Sequence, residues 1–352
     1  MRLNTMLKQL LIVLALVIAS GCDRSSDTDT NNQSASPGSN TSSVAAVDDV
    51  FTGENVHYIV TTNPGGGYDA YARLIGKYLN KYLVSDNIII NNIPGAGHIV
   101  GTNTLWKSKP DGLTLGTFNA GLIYNQIIHR STLQFDIGKF SWIGKAAGEP
   151  RSLVVAEQCP YETFDDLMAA EEVIKVASAG IGSASYADTK LLAEAFDLNI
   201  DIIPGFEGNE GEMSMMRGEV CAQFGTTSST LPFVDSGGGH FVLAVGGNID
   251  GVPRAEDYAK TDKAKGIVSL MTALTQLGRI TAAPPGMDPV LLEKIRAAYK
   301  ATLTDPELLA EAEKMKLPID PAFGDDVTQL VLDALNQTPE TEAIISAAIQ
   351  SQ

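Results

Sequence analysis

A mostly apolar run from Val56 to Val60 reads as a short strand. Downstream, Tyr71, Leu74, Ile75, Tyr78, Leu79 and Tyr82 recur at the i, i+3, i+4, i+7, i+8, i+11 positions of one buried helix face. Between the two lies Pro64-Gly65-Gly66-Gly67-Tyr68-Asp69. Glycines let backbone approach a guest closely. The first turn of a helix beginning at Asp69 points free N–H groups into the loop, a seat for an anion. The same pattern repeats at once. Ile88-Ile89-Ile90 reads as a strand and Asn92-Ile93-Pro94-Gly95-Ala96-Gly97 as a second loop of the same kind.

The alternation continues. Leu113 to Phe118 predicts a buried strand, followed by the polar tip Asn119-Ala120-Gly121; Trp142 to Ala146 predicts another short strand. After Ser152-Leu153-Val154-Val155 comes a helix from about Thr163 to Ala170, with Thr163 as cap and Asp165 and Asp166 in its first turn. A second series then starts. It has strands at Val173–Ala177, Ile200–Ile203, Val220–Phe224 and Phe241–Val245, and helices at about Tyr186–Phe196 and Gly211–Arg217. Its first loop, Ser178 to Ser185, is made of small residues. Two consecutive α/β series predict two parallel or mixed sheets covered by helices, with ligand loops beyond the carboxyl ends of the strands. Loops that face each other form one cleft. The last third is helical. Asp288-Pro289 and Asp305-Pro306 each place a cap before a proline, and Val327, Leu330, Val331, Ala334 and Leu335 mark one more face.

The N-terminus departs from this pattern. Arg2 and Lys8 precede a short apolar core, Leu10 to Ile18, that ends in Ala19-Ser20-Gly21-Cys22. That is the layout of a signal peptide over 1–21. Small residues before a cysteine resemble a bacterial lipobox, with Cys22 as the lipidated residue, although Ala19 stands where Leu is more usual. The other reading is ordinary secretory cleavage near Ala19. Asp23 after the cysteine resembles an inner-membrane retention signal. Residues 22–53 hold almost nothing apolar before Val44 and read as a tether spanning roughly 30 Å as a random coil.

The body that follows has enough apolar material for two domains and no later run long enough to span a membrane. The formal charge is −17, and removing the leader takes away two cations and no acid. Such a chain has no general attraction for nucleic acid or anionic lipid, so an anionic guest needs local donors. Beyond Cys22, the cysteines are Cys159 and Cys221. They form either a disulfide in an oxidising compartment or two separate small buried residues; sequence gives no distance.

No H-E-x-x-H, C-x-x-C or G-x-S-x-G occurs, and the glycine loop is neither G-x-G-x-x-G nor a P-loop. His57, His98, His129 and His240 are scattered. A binding module is therefore expected rather than an enzyme, with no catalytic residue, cofactor or metal. An α/β enzyme acting on a small acidic metabolite is the runner-up, and a lipoprotein scaffold a third reading.

The loops in order carry a resemblance. Pro64-Gly65-Gly66-Gly67-Tyr68-Asp69-Ala70-Tyr71-Ala72-Arg73, then Asn92-Ile93-Pro94-Gly95-Ala96-Gly97-His98, Gly101 and Pro110-Asp111-Gly112-Leu113-Thr114-Leu115, are similar to the motifs of the extracytoplasmic receptors of tripartite tricarboxylate transporters, the Bug family. Gly180 to Tyr186, Phe206-Glu207-Gly208, Arg217 to Cys221 and Ala282 to Gly286 extend the resemblance. It implies a two-lobed, type II periplasmic-binding-protein-like fold of two doubly wound sheets. Lobe 1 would comprise 54–152 plus 281–352, and lobe 2 would comprise 153–280. It implies a monomeric receptor in the periplasm that closes on a small carboxylate and delivers it to membrane subunits.

Carried over by resemblance, Gly66, Gly67, Tyr68, Asp69, Ala96 and Gly97 hold a carboxylate, often through ordered water. Asn119 and Ala120 line the same floor, and Ser183, Ala184, Ser185, Thr226 and Thr227 face them. Asp69 either touches bridging water or caps its helix. Arg73, one helical turn from the loop, is expected in a structural ion pair. His98 stands where the family has Gly, Tyr68 where Thr is common, and Tyr186 and Phe206 also differ. These change pocket size and polarity, so the guest is not inherited from the family.

Overall fold

The computed structural model describes residues 50–129 and 133–350. The leader over 1–21, Cys22 and the tether up to residue 49 lie outside the described residues. Phe51, inside the span read as tether, is buried in the same core cluster as Tyr71 and Leu303, and Val50 packs against that cluster.

The first series runs β1 (Asn55–Val60), α1 (Gly67–Leu83), β2 (Asn87–Asn92), α2 (Ile99–Lys107), β3 (Thr114–Phe118), α3 (Gly121–His129) and β4 (Ser141–Lys145). The second runs β5 (Arg151–Ala156), α4 (Phe164–Met168), β6 (Ile174–Ser178), α5 (Ala184–Phe196), β7 (Ile200–Pro204), α6 (Glu210–Met216), β8 (Ala222–Thr226), α7 (Thr227–Asp235), β9 (Gly239–Val245), α8 (Ala255–Tyr258) and α9 (Asp262–Thr275). The chain then returns through β10 (Ile280–Ala283), α10 (Pro289–Leu303), α11 (Pro306–Lys314), β11 (Ala322–Phe323), α12 (Gly324–Leu335) and α13 (Pro339–Gln350). Among the described residues, no helix is long and apolar enough to cross a membrane.

The strands make two mixed sheets, a six-stranded one ordered β11-β4-β10-β3-β1-β2 and a five-stranded one ordered β7-β6-β8-β5-β9. β1 runs parallel to β2 and β3, while β10 lies antiparallel between β3 and β4. In the other sheet β6 is parallel to β7 and β8, and β5 is antiparallel to β8 and β9. The chain changes sheet between Lys145 and Arg151 and again between Val245 and Ile280. Arg151 and Ser152 therefore already pair in the second sheet, and Ile280 in the first.

Local chemistry accounts for the element ends. Helix α1 begins at Gly67 rather than Asp69, and its Tyr71, Leu74, Ile75, Tyr78 and Leu79 stripe is buried. Tyr82, at the end of that stripe, is half-buried and donates its hydroxyl to Asp305 Oδ2 at 2.7 Å. Asp305 in turn caps α11 by accepting from the Glu307 N–H at 2.8 Å. Thr163 and Asp166 cap α4 reciprocally, the capping box that keeps so short a helix in place. Cys159, just after β5, and Cys221, just before β8, are joined by a disulfide with Cα atoms 5.8 Å apart. Helix α13 lies against α3 of the first series and α5 of the second.

Candidate functional site

Strand ends from both sheets converge on a cavity of about 90 Å³. From the first sheet it is lined by Thr62, Gly66, Gly67 and Tyr68 beyond β1, by His98 ahead of α2 and by Asn119 beyond β3. From the second it is lined by Ser178, Ala179, Ala184 and Ser185 around the β6–α5 loop, by Phe206 and Gly208, and by Gln223 to Thr226 with Ser229. Of the residues expected from sequence, Gly66, Gly67, Tyr68, Asn119, Ala184, Ser185 and Thr226 are brought together here.

Six expected residues do not line the cavity. Asp69 is buried, and its carboxylate accepts from the Gly65 N–H at 3.0 Å, Arg73 Nε at 2.8 Å and Asn92 Nδ2 at 3.0 Å. Burial alone would raise its pKa; Arg73, Asn92 and the Gly65 N–H outweigh that and hold it below the usual carboxylate range. It therefore fixes the loop rather than facing a guest, and Arg73 is its ion-pair partner. Ala96 and Gly97 take left-handed backbone and press on the opposite loop. A Cβ on Gly97 would meet Ile181 O at 2.7 Å and Ser183 N at 2.8 Å, so only glycine permits this approach. Ala120 is buried in a core cluster that draws on both series. Ser183 caps α5, accepting from the Tyr186 N–H at 3.2 Å, and is buried too. Thr227 donates its hydroxyl to Pro150 O at 2.9 Å, beside the first exchange segment.

His98 and Asn119 tie the wall together. Asn119 Nδ2 donates to His98 Nε2 at 3.0 Å, and Asn119 Oδ1 accepts from the Gly121 N–H at 2.8 Å and the Ala184 N–H at 3.1 Å. One side chain thus spans the starts of α3 and α5, one in each series. With Nε2 accepting, the ring carries its proton on Nδ1, which faces Thr61 O at 3.1 Å. Burial pushes the pKa of this ring down to about 4, against the pull of the Thr61 carbonyl. His98 is neutral at pH 7 and adds no charge to the cavity.

Two arginines enter that sequence reasoning did not place. Arg151, the first residue of β5, lines the cavity and pairs through Nε with Asp188 Oδ2 at 2.8 Å. Asp188 is buried on α5, and its other oxygen accepts from the Tyr124 hydroxyl at 2.7 Å. Burial raises the pKa of Asp188, and Arg151 and Tyr124 oppose the rise. Arg279, just before β10, is almost fully enclosed and pairs with Glu149 at 2.8 Å. Its Nη2 also donates to Thr226 Oγ1 at 2.7 Å and to Ser228 Oγ at 3.1 Å. The sequence signal for both was weak: a lone Arg at a strand start, and another in a Gly-Arg turn.

The family of tripartite tricarboxylate transporter receptors matches residues 71–348. The chain belongs to that family. The receptor family's match covers the second loop, both sheets beyond β1 and the C-terminal helices, while the first glycine loop precedes it. A UPF0065 protein in the TAR-I ttuE-ttuC' intergenic region of Agrobacterium vitis is 24% identical over 272 residues, 76% of each chain. Among solved structures, periplasmic binding protein BugD superposes with a TM-score of 0.71 at 20% identity, over 84% of this chain and 97% of its own. MatC from Rhodopseudomonas palustris, solved with bound malate, gives 0.68 at 21% identity over 83% and 99%. These likenesses establish the two-lobed binding-protein fold.

Proposed function

We propose that this chain is an extracytoplasmic solute receptor that captures a small organic acid and delivers it to the membrane subunits of a tripartite tricarboxylate-type transporter. The observation that carries this is the cavity: small, walled by strand-end loops of both sheets, and lined by glycine backbone, uncharged polar groups and a few apolar side chains such as Phe206 and Phe224, with one arginine. Membership of the receptor family and the malate held by MatC support a carboxylate guest.

In this reading the two sheets, each with its helices, move as lobes about the connections at 146–150 and 276–279. The guest enters the open cleft and meets the loops of both lobes, Gly66, Gly67, Tyr68 and Asn119 on one side and Ala184, Ser185 and Thr226 on the other. It binds the closed form better, so closure follows occupancy. The closed body then docks on the membrane subunits, and no bond in the guest is made or broken. Cys22 carries the lipid that holds the protein at the periplasmic face of a membrane, the inner one if Asp23 acts as the retention signal it resembles, and the tether lets a monomeric body reach its partner.

The test is a thermal-shift series with small organic acids on the purified protein, followed by chemical analysis of the recovered acid. The receptor reading expects an upshift that grows with acid concentration, as mass action requires, with the acid returned intact. Conversion of the acid would point to an enzyme, and no shift with any acid to a scaffold.

A further inference from the structure

Arg151 is the one formally charged side chain in the cavity lining among the described residues, since burial keeps His98 neutral. We infer that Arg151 pairs directly with a carboxylate of the guest, so that the site selects its guest by negative charge at that point. This rests on the receptor reading above and names the residue that would read the charge.

The geometry supplies three supports. First, Arg151 is buried yet opens on the cavity, its side chain 7% exposed, and Asp188 engages its Nε. A guanidinium carries five N–H donors in a planar fork, more than one carboxylate can take, and the Nη edge matches a second carboxylate. Second, the arginine is held from behind. Asp188 grips Nε, and the Tyr124 hydroxyl from α3 grips Asp188. The fork is therefore positioned before any guest arrives, which removes ordering cost from binding. Because Asp188 sits on α5 and Tyr124 on α3, the same grip joins the two series across the cleft. Third, a chain of formal charge −17 repels an anion at long range, and a local cation offsets that repulsion. Glycine-loop N–H groups give hydrogen bonds but no net charge.

Specificity follows from the same arithmetic. A guest with a neutral amide where the carboxylate belongs leaves the guanidinium with half a partner in a buried place. Sites built around a buried polar group reject the analogue that cannot pair with it. Lysine does not replace arginine here, because an ammonium cannot offer two parallel donors.

The experiment is isothermal titration of the purified full-length protein with malate, succinate, glutarate and butyrate and with their fully amidated counterparts. The wild type is expected to bind at least one acid about 100-fold or more tighter than its amide. The double variant Arg151→Gln with Asp188→Asn removes both charges together and leaves no unpaired buried ion; its preference for acid over amide is expected to fall below about tenfold. The single variant Arg151→Lys is expected to bind the acid at least about tenfold more weakly while still preferring it to the amide. It decides the matter if the double variant does not give a native melting transition. Acid affinity within threefold of wild type in either folded variant overturns the assignment to Arg151 and leaves the receptor standing. If the wild type binds none of these acids, or binds them no tighter than their amides, the assignment to Arg151 falls, and the wider acid series above decides the receptor reading.

Discussion

The guanidinium carbon of Arg279 lies 4.6 Å from the centroid of the Tyr68 ring. Tyr68 belongs to the first turn of α1, at the cavity, while Arg279 leads into β10 from the second exchange segment. The same guanidinium pairs with Glu149 on the first exchange segment and bonds Thr226 at the end of β8. Both connections between sheets and both walls of the cleft thus meet at one buried cation. Replacing Arg279 by Met leaves Glu149 as an uncompensated buried charge and is expected to cost about 3–5 kcal/mol of stability. Adding Glu149→Gln should recover part of the loss. Urea unfolding of the two variants checks this, and a double variant no more stable than the single would show that the charge pair is not the cause.

The contact of Gly97 with the opposite loop makes a sharper demand. Its φ is +60°, and a Cβ would meet the backbone of Gly180, Ile181 and Ser183 at 2.7–2.9 Å. Gly97→Ala adds roughly 1–2 kcal/mol of backbone strain and forces the loops apart. Guest affinity is expected to fall at least about tenfold, equivalent to about 1.4 kcal/mol taken from the closed form. Titration calorimetry measures it, and unchanged affinity would mean that the loops part without consequence.

The alternating strands and helices were legible because each strand is a short apolar run and each loop carries its own glycines. The α1 stripe, the Thr163 cap and the Asp288 and Asp305 caps are local features, and a local pattern specifies them. The glycine and small-residue walls of the cavity were legible for the same reason. Arg151, Asp188 and Tyr124 were not, since their grip joins three elements far apart in sequence and no single stretch shows it. Asp69 and Ser183 stand at helix starts, as their sequence positions suggest, but whether they face the guest or fold back depends on partners such as Asn92 and Tyr186. The end of the tether was blurred because Val50 and Phe51, at the edge of a polar segment, join the core without any periodic pattern around them.

Two buried groups pull the pH dependence of stability in opposite directions. His98 has its folded pKa lowered from 6.5 to about 4, so the unfolded chain binds the proton first. Its contribution is present above the unfolded value and is lost as pH falls from 6.5 towards 4, by up to about 3 kcal/mol. Glu212, in the first turn of α6, has its folded pKa raised by burial from 4.5 to about 7. Its contribution is present below 4.5 and is lost as pH rises towards 7. The two slopes offset each other between pH 4.5 and 6.5. His98→Gln is expected to remove the first slope, so that stability relative to wild type rises as pH falls from 7 to 5. Melting curves across that range test the sign; a variant whose difference from wild type does not change with pH would contradict the buried neutral ring.

The Cys159–Cys221 bond closes a 62-residue separation between the end of β5 and the start of β8. Cutting it with Cys159→Ala and Cys221→Ala is expected to lower stability by about 2–4 kcal/mol. A reductant should shift the melting temperature of the wild type and leave that of the double variant unmoved.

The central claim is that a guest occupies the cavity between the two sheets. Gly225 lines it from β8, and a Cβ built there meets nothing within 4 Å. Gly225→Leu therefore sends its side chain from an unobstructed Cβ into the guest's space. The decisive measurement is titration of this variant beside the wild type with the acid that stabilises the wild type most. The account predicts a native melting transition and binding weakened at least about 100-fold; a folded variant that binds as tightly as the wild type would place the guest elsewhere.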